Sequence, residues 1–184
     1  METSDNTVPM RLKAKLAEHH LLASDGSQTI YGKPVWRSIA PGHEPERLMD
    51  ATRAQRDLVV FAHATPATGP NQCAAWVEHV FSHMNLGVIV GDAADLARRW
   101  CTLTDTRVLS VGMIMATSAH PFGTDGRAWG HVGIYIGDRR VMDSVEGRVR
   151  TSPLDAWISV YGVMADVQWG WLGGIALNQL TKTI

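Results

Sequence analysis

The spacing of apolar residues divides the chain into a helix-forming first part and a strand-forming second part. Residues 9–23 place Leu12, Leu16 and His19 or His20 on one side behind Pro9. That spacing predicts a helix, which Ser24-Asp25-Gly26-Ser27 ends. Residues 29–40 are interrupted by Gly32 and Pro34 and read as a loop with a short extended piece. Residues 45–63 predict a second helix with Leu48, Thr52, Gln55 and Val59 on one face. A Pro/Gly/Thr-rich stretch follows at 64–70. Beyond it Cys73, Trp76, Val77, Val80, Phe81 and Met84 recur at i, i+3, i+4, i+7, i+8 and i+11, a full apolar stripe at helical period, with Gly87 as its stop. Asp92 then serves as N-cap of a third helix whose apolar side is Leu96, Trp100 and Leu103.

From residue 108 the period changes. A strand is expected at about 112–117, then a long loop at 120–130. His131-Val132-Gly133-Ile134-Tyr135-Ile136-Gly137 alternates as a strand, with Val132, Ile134 and Ile136 on one face and His131, Gly133 and Tyr135 on the other. A turn at Gly137-Asp138 returns the chain as a hairpin partner through residue 145. A short strand at 148–152, a capped short helix at 152–157 and a last strand region at 161–172 complete the pattern. Helices followed by antiparallel strands predict an α+β fold. The composition change at 64–70 divides it into an N-terminal helical extension, 1–63, and a core, 64–184.

Composition narrows the function. The 184 residues are 45% hydrophobic and 19% charged, with a net charge of −1, so no general basic surface for nucleic acid is implied. No apolar run is long enough to span a membrane. The first ten residues have neither the basic nor the apolar region of a secretory signal, so a route other than the Sec signal is expected for any action outside the cytoplasm. Two cysteines, Cys73 and Cys101, are too few for a disulfide framework and have no metal-binding spacing. His79 and His83 are four apart on one helix, but no glutamate completes a metal motif there. A solvated helix face is the simpler reading, and no metal or other cofactor is expected.

Candidate chemistry centres on Cys73. A thiol at a helix start meets unpaired N–H groups and the positive end of the helix dipole, which favour thiolate. The same N–H groups can hold an oxyanion. On this helix alone a buried structural cysteine is the favoured reading. His131 opens an apolar strand, where a general base would have room beside Gly133. The hairpin brings Asp143 near the level of His131, where a carboxylate would orient the ring and favour imidazolium. His120 and Asp125 could line the cleft from the preceding loop. Trp129, Trp157, Trp169 and Trp171 are candidates for a groove wall, with core packing the default for at least two of them. Cys101 reads as a core thiol.

The cysteine helix, the strand motif Gly130-His131-Val132-Gly133-Ile134-Tyr135-Ile136-Gly137-Asp138 and a polar residue twelve positions after the histidine resemble the NlpC-type and CHAP-type cell-wall peptidases and amidases. The resemblance covers about 71–160. It implies a papain-like core, a nucleophile helix packed on a small antiparallel sheet, with Cys73, His131 and Asp143 as catalytic residues. Gln72, Trp129 and Gly130 would be the oxyanion- and substrate-binding residues. The nucleophile context Gln72-Cys73-Ala74-Ala75 departs from the Asp-Cys-Ser-Gly usual in the NlpC branch, and Gly91-Asp92-Ala93 looks more like the CHAP branch.

The function this implies is hydrolysis of a peptide or amide bond in the peptide stem of peptidoglycan. The settings it suggests are a phage lysin, or a delivered antibacterial effector with an immunity or inhibitor protein as partner. A cytoplasmic enzyme acting on recycled wall fragments is a third. Two alternatives stand beside it. One is a non-catalytic binding module on the same fold. The other is a cysteine acyltransferase or isopeptidase acting on another amide.

Overall fold

A computed structural model describes residues 50–180, together with two short antiparallel strands, β1 (Thr29–Ile30) and β2 (Lys33–Pro34). The helix expected over 9–23, and the beginning of the one expected over 45–63, lie outside the described residues.

Helix α1 (Arg53–Ala64) begins where its capping residues dictate. The Gln55 N–H donates to Thr52 Oγ1, and the Thr52 N–H donates back to Gln55 Oε1 at 2.8 Å. Two backbone donors that the helix cannot satisfy internally are thereby paired. Thr52 is therefore the cap rather than a residue of the helical face. The Thr52 hydroxyl also donates to the Leu177 carbonyl, and Gln55 Nε2 donates to the Val111 carbonyl at 2.8 Å. Leu58, Val59, Val60 and Ala62 are fully buried. The helix ends at Ala64, one residue past the expected end of the N-terminal extension, and its apolar residues belong to the same core cluster as those of the sheet.

Helix α2 (Cys73–Ser82) buries the expected stripe: Cys73, Trp76, Val77, Val80 and Phe81. Trp76 is fully buried, and its indole N–H donates to the Thr65 carbonyl, which ties α2 to the end of α1. The helix stops at Ser82, so Met84 packs from the turns that follow. Helix α3 (Ala93–Trp100) starts at Asp92, whose carboxylate accepts the Asp95 N–H at 2.7 Å. Leu103 lies beyond this helix, bridged to Trp169.

The sheet is antiparallel throughout, in the order β6-β5-β4-β3-β7. Its strands are β3 (Ile114–Thr117), β4 (His131–Gly137), β5 (Arg140–Val145), β6 (Arg148–Pro153) and β7 (Gln168–Gly170). The β4–β5 turn falls at Asp138-Arg139, one residue later than the pattern suggests. Both residues have φ near +50°, as a two-residue turn matching the strand twist requires. All seven residues of β4 are buried, so both of its faces are covered. Helices α2 and α3 pack against the strand, and two aromatic rings cover His131. The result is an α+β fold with the cysteine helix packed on a small antiparallel sheet.

Two segments differ from their sequence reading. The loop expected over 120–130 contains a short helix, α4 (Gly123–Trp129). The short helix expected at 152–157 is α5 (Leu154–Tyr161), which leaves Ser152 in β6 and carries Tyr161 out of the expected last strand. Among the described residues no helix is long and apolar enough to cross a membrane.

Because α1 contributes fully buried side chains to the common core, Leu58→Ala is expected to destabilise the protein by about 2–5 kcal/mol. Urea unfolding followed by circular dichroism would measure this. An effect near zero would show that α1 is not part of the cooperative core.

Candidate active site

Cys73 is the first residue of α2. The first intrahelical bond runs from the Trp76 N–H to the Gln72 carbonyl, so the N–H groups of Cys73, Ala74 and Ala75 are those that a helix start leaves without an intrahelical partner. The segment before the thiol is anchored. The Thr68 hydroxyl donates to the Gln72 carbonyl, and the Thr68 N–H donates to Ser144 Oγ in β5. The Cys73 helix is thus tied to the strand that carries Asp143.

His131 opens β4 and is 6% exposed. The preceding Gly130 has φ +70°, and a Cβ there would stand 2.1 Å from the Thr117 carbonyl oxygen, so only glycine fits. Gly133 is fixed by the neighbouring strand. A Cβ on it would fall 2.7 Å from the Met142 carbonyl oxygen. The close approach of β5 that its absence permits brings Asp143 alongside, and His131 Nε2 lies 2.8 Å from Asp143 Oδ2. With Nε2 engaged there, Nδ1 is the ring nitrogen left for the Cys73 thiol, whose interaction with His131 favours the charged ring.

The Asp143 carboxylate has no exposed surface and takes four donated bonds. One comes from His131. Arg150 donates through Nε to Oδ1 at 2.7 Å and through Nη2 to Oδ2 at 3.0 Å. The Trp157 indole N–H donates to Oδ2 at 2.8 Å. Arg150 Nη2 also donates to the Tyr161 hydroxyl. The Tyr161 ring stacks on the imidazole, with centroids 4.2 Å apart and planes 23° apart.

These contacts set the protonation states. Burial alone would push the His131 pKa down. The bonds to Asp143 and Cys73, together with their charges, outweigh it and raise it from 6.5 to about 9. Burial opposes ionisation of Asp143 too, but its bonds to His131 and Arg150 hold its pKa below the ordinary carboxylate value. Burial raises the Tyr161 phenol to about 12, so it stays protonated as a neutral roof over the ring. His120 is shifted the other way, first by burial and then by the charge of His131. Its Nδ1 accepts the Phe122 N–H.

Cys73, His131 and Arg150 line a cavity of about 600 Å³, with Asp143 buried behind the histidine and arginine. Of the residues expected beside the triad, Trp129 and Gly130 line the cavity, and Trp129 is 54% exposed. His120 and Asp125 line it as well. Gln72 does not. Its side-chain amide lies against Gly69, and Asn71 takes the place at the rim, donating to Asp125 Oδ2 across the opening. Trp157 and Trp169 are core residues, while Trp171 packs at the edge of the core. Cys101 is buried, with its thiol pushed up to about 12 by burial, and both cysteines are free. His79 is exposed, and His83 packs against the Phe61 ring.

Arg150 and Tyr161 were not singled out by sequence reasoning, and Trp157 was singled out only as a groove-wall or core residue, not as a partner of Asp143. A signal for Arg150 existed. The Glu146-Gly147 turn sets Asp143 directly across from Arg150 in the β5–β6 pair, an opposite-charge cross-strand couple. Trp157 and Tyr161 are an i, i+4 aromatic pair on α5, visible only once that helix is extended to Tyr161.

No protein-family model matches the chain, and no curated protein does. Solved structures do resemble it. One is NlpC2 from Trichomonas vaginalis, with a TM-score of 0.48 and 13% identity, covering 74% of this chain and 49% of that one. Another is an NlpC/P60 family protein from Bacillus cereus ATCC 10987, with a TM-score of 0.47 and 21% identity, covering 68% of this chain and 41% of that one. The chain thus spans less than half the length of either. At this level of similarity any catalytic reading is argued from the geometry of the site.

The raised pKa of His131 has a thermodynamic consequence. A group that binds its proton more tightly when folded stabilises the fold fully below its unfolded value of 6.5. That contribution is lost as pH rises through about 9. Urea-unfolding free energies measured from pH 6 to 10 are expected to fall across this window in the wild type. In Asp143→Asn the fall is expected to be smaller and to occur at lower pH. An unchanged profile in that variant would contradict the assigned cause.

Proposed function

We propose that the protein is a cysteine hydrolase that cleaves a peptide or amide bond in the peptide stem of peptidoglycan. The observation that carries this reading is the meeting of Cys73 and His131 at one cavity, with the His131 ring held from behind by a 2.8 Å bond to Asp143. A buried structural cysteine needs no such company. Cys101, the other free thiol, lies in the core with its pKa pushed up.

In this reading Cys73 Sγ attacks the carbonyl carbon of the scissile amide as a thiolate paired with the His131 imidazolium. The oxyanion of the tetrahedral intermediate is held by the Cys73 backbone N–H and its neighbours in the first turn of α2. His131 gives its Nδ1 proton to the departing amine, the C–N bond breaks, and a thioester remains. Water enters, His131 takes a proton from it, and hydrolysis of the thioester restores the thiol and releases a carboxylate. Asp143 keeps the imidazole aimed throughout and stabilises its charged form. Gln72, with its amide turned toward Gly69, has no part in this scheme. Trp129, exposed at the rim, offers an apolar face to the substrate chain. Peptidoglycan as the polymer rests on the motif resemblance around His131. The chemistry of acyl transfer rests on the site.

Incubation with purified sacculi, followed by mass analysis of the soluble fragments, tests the reading. The wild type is expected to release fragments carrying new amine and carboxyl ends. Cys73→Ala is expected to lower the rate by about a thousandfold or more. Intact stems after wild-type treatment would remove peptidoglycan as substrate. Fragments joined to an added amine would indicate acyl transfer instead of hydrolysis.

A further inference from the structure

Within the proposed reaction, Asp143 is the residue that orients the base. Its carboxylate is shared. His131 takes one bond to Oδ2 at 2.8 Å, while Arg150 takes two, one to each oxygen. Arg150 comes from β6, directly across from Asp143. It is the only lysine or arginine among the described residues lining the cavity. Its guanidinium also holds the Tyr161 hydroxyl, and the Tyr161 ring lies flat on His131. The four residues therefore form a closed ring of contacts: His131 to Asp143, Asp143 to Arg150, Arg150 to Tyr161, and Tyr161 back to His131.

We infer that Arg150 is a positioning residue of this site, which competes with His131 for Asp143 and, through Tyr161, fixes the aromatic roof over the imidazole. This inference rests on the hydrolase reading for its catalytic meaning, but not for its physical content. The side-on two-point bond locks the plane of the carboxylate, which an ammonium could not do. A carboxylate already neutralised by a guanidinium also pulls less strongly on an imidazolium. The proton is then held firmly enough to keep the ion pair, yet loosely enough to be given to a leaving amine.

The other groups facing His131 and the cavity complete the electrostatic setting. Cys73 approaches from α2, Tyr161 and Trp157 from α5, and His120 from the segment before α4. Asp92, Asp125 and Glu146 line the same cavity from α3, α4 and the β5–β6 turn. All of these but Arg150 are anionic, neutral, or histidine. Removing Arg150 therefore deletes the one permanent cation, and the imidazolium must gain.

The test is an NMR titration of the His131 side chain with 15N-labelled histidine, its resonance identified by loss in His131→Asn. In Arg150→Gln the midpoint is expected to move up by about one pH unit, an approximately tenfold gain in proton affinity. In Arg150→Lys, which keeps the charge but not the planar fork, the midpoint is expected to stay near that of the wild type. Turnover on sacculi is expected to fall in Arg150→Lys, with KM little changed. A midpoint that is unchanged or lowered in folded Arg150→Gln would overturn the inference. If Arg150→Gln does not fold, Arg150→Lys decides: a midpoint raised by about a full unit despite the retained charge would overturn it equally. The titration needs no substrate. Should the wild type cleave no sacculi while the midpoint shifts as expected, peptidoglycan is removed as substrate and the role of Arg150 beside His131 stands.

Discussion

A carboxylate with no exposed surface is the constraint on which the rest of the site depends. Burying an ionised group without partners costs far more than a small domain can spare, so Asp143 must be met on all sides. It is met by an imidazole, a guanidinium and an indole N–H, drawn from β4, β6 and α5. Each donor has its own packing requirement. The imidazole needs Gly130 and Gly133 to come close enough, the guanidinium needs the β5–β6 register, and the indole needs α5 to start at Leu154. A single buried charge thus explains why these elements sit where they do. Removing any one donor leaves the charge partly unpaired, so their effects on stability are coupled rather than additive.

The same arrangement gives Cys73 its neighbours. The apolar stripe from Cys73 to Phe81 has helical period whether or not the thiol reacts, and the helix forms as that stripe requires. What the stripe cannot reveal is the use of its first residue. That comes from β4 and its hairpin, whose turn and alternation bring Asp143 to His131, as local pattern alone suggests. That both faces of β4 are covered was not legible in its alternation, because local pattern carries no information about which layers cover a strand.

Other parts were not legible for a definite reason. Gln72 is adjacent to the nucleophile in sequence, yet its amide turns toward Gly69, because the chain before α2 is clamped through Thr68 to the Gln72 carbonyl and to Ser144. Adjacency in sequence says nothing about side-chain direction at a helix cap. Tyr161 looks like the start of a strand by composition, but α5 continues to it, and its ring finds the imidazole. The α4 segment reads as a loop because its two internal glycines and polar residues carry no apolar period. Among its residues only Gly126 is buried.

The Thr68 clamp makes the two walls of the cavity unequal. On one side the thiol-bearing helix, the linker before it and the strand carrying Asp143 are fastened to one another by hydrogen bonds and a shared core. On the other side α4 is a largely exposed helix of roughly two turns, held across the opening by one side-chain pair, Asn71 and Asp125. Local opening draws on the segments with least buried contact. The wall that carries Cys73 and His131 is thus the more firmly held, and the facing wall the one with less to hold it.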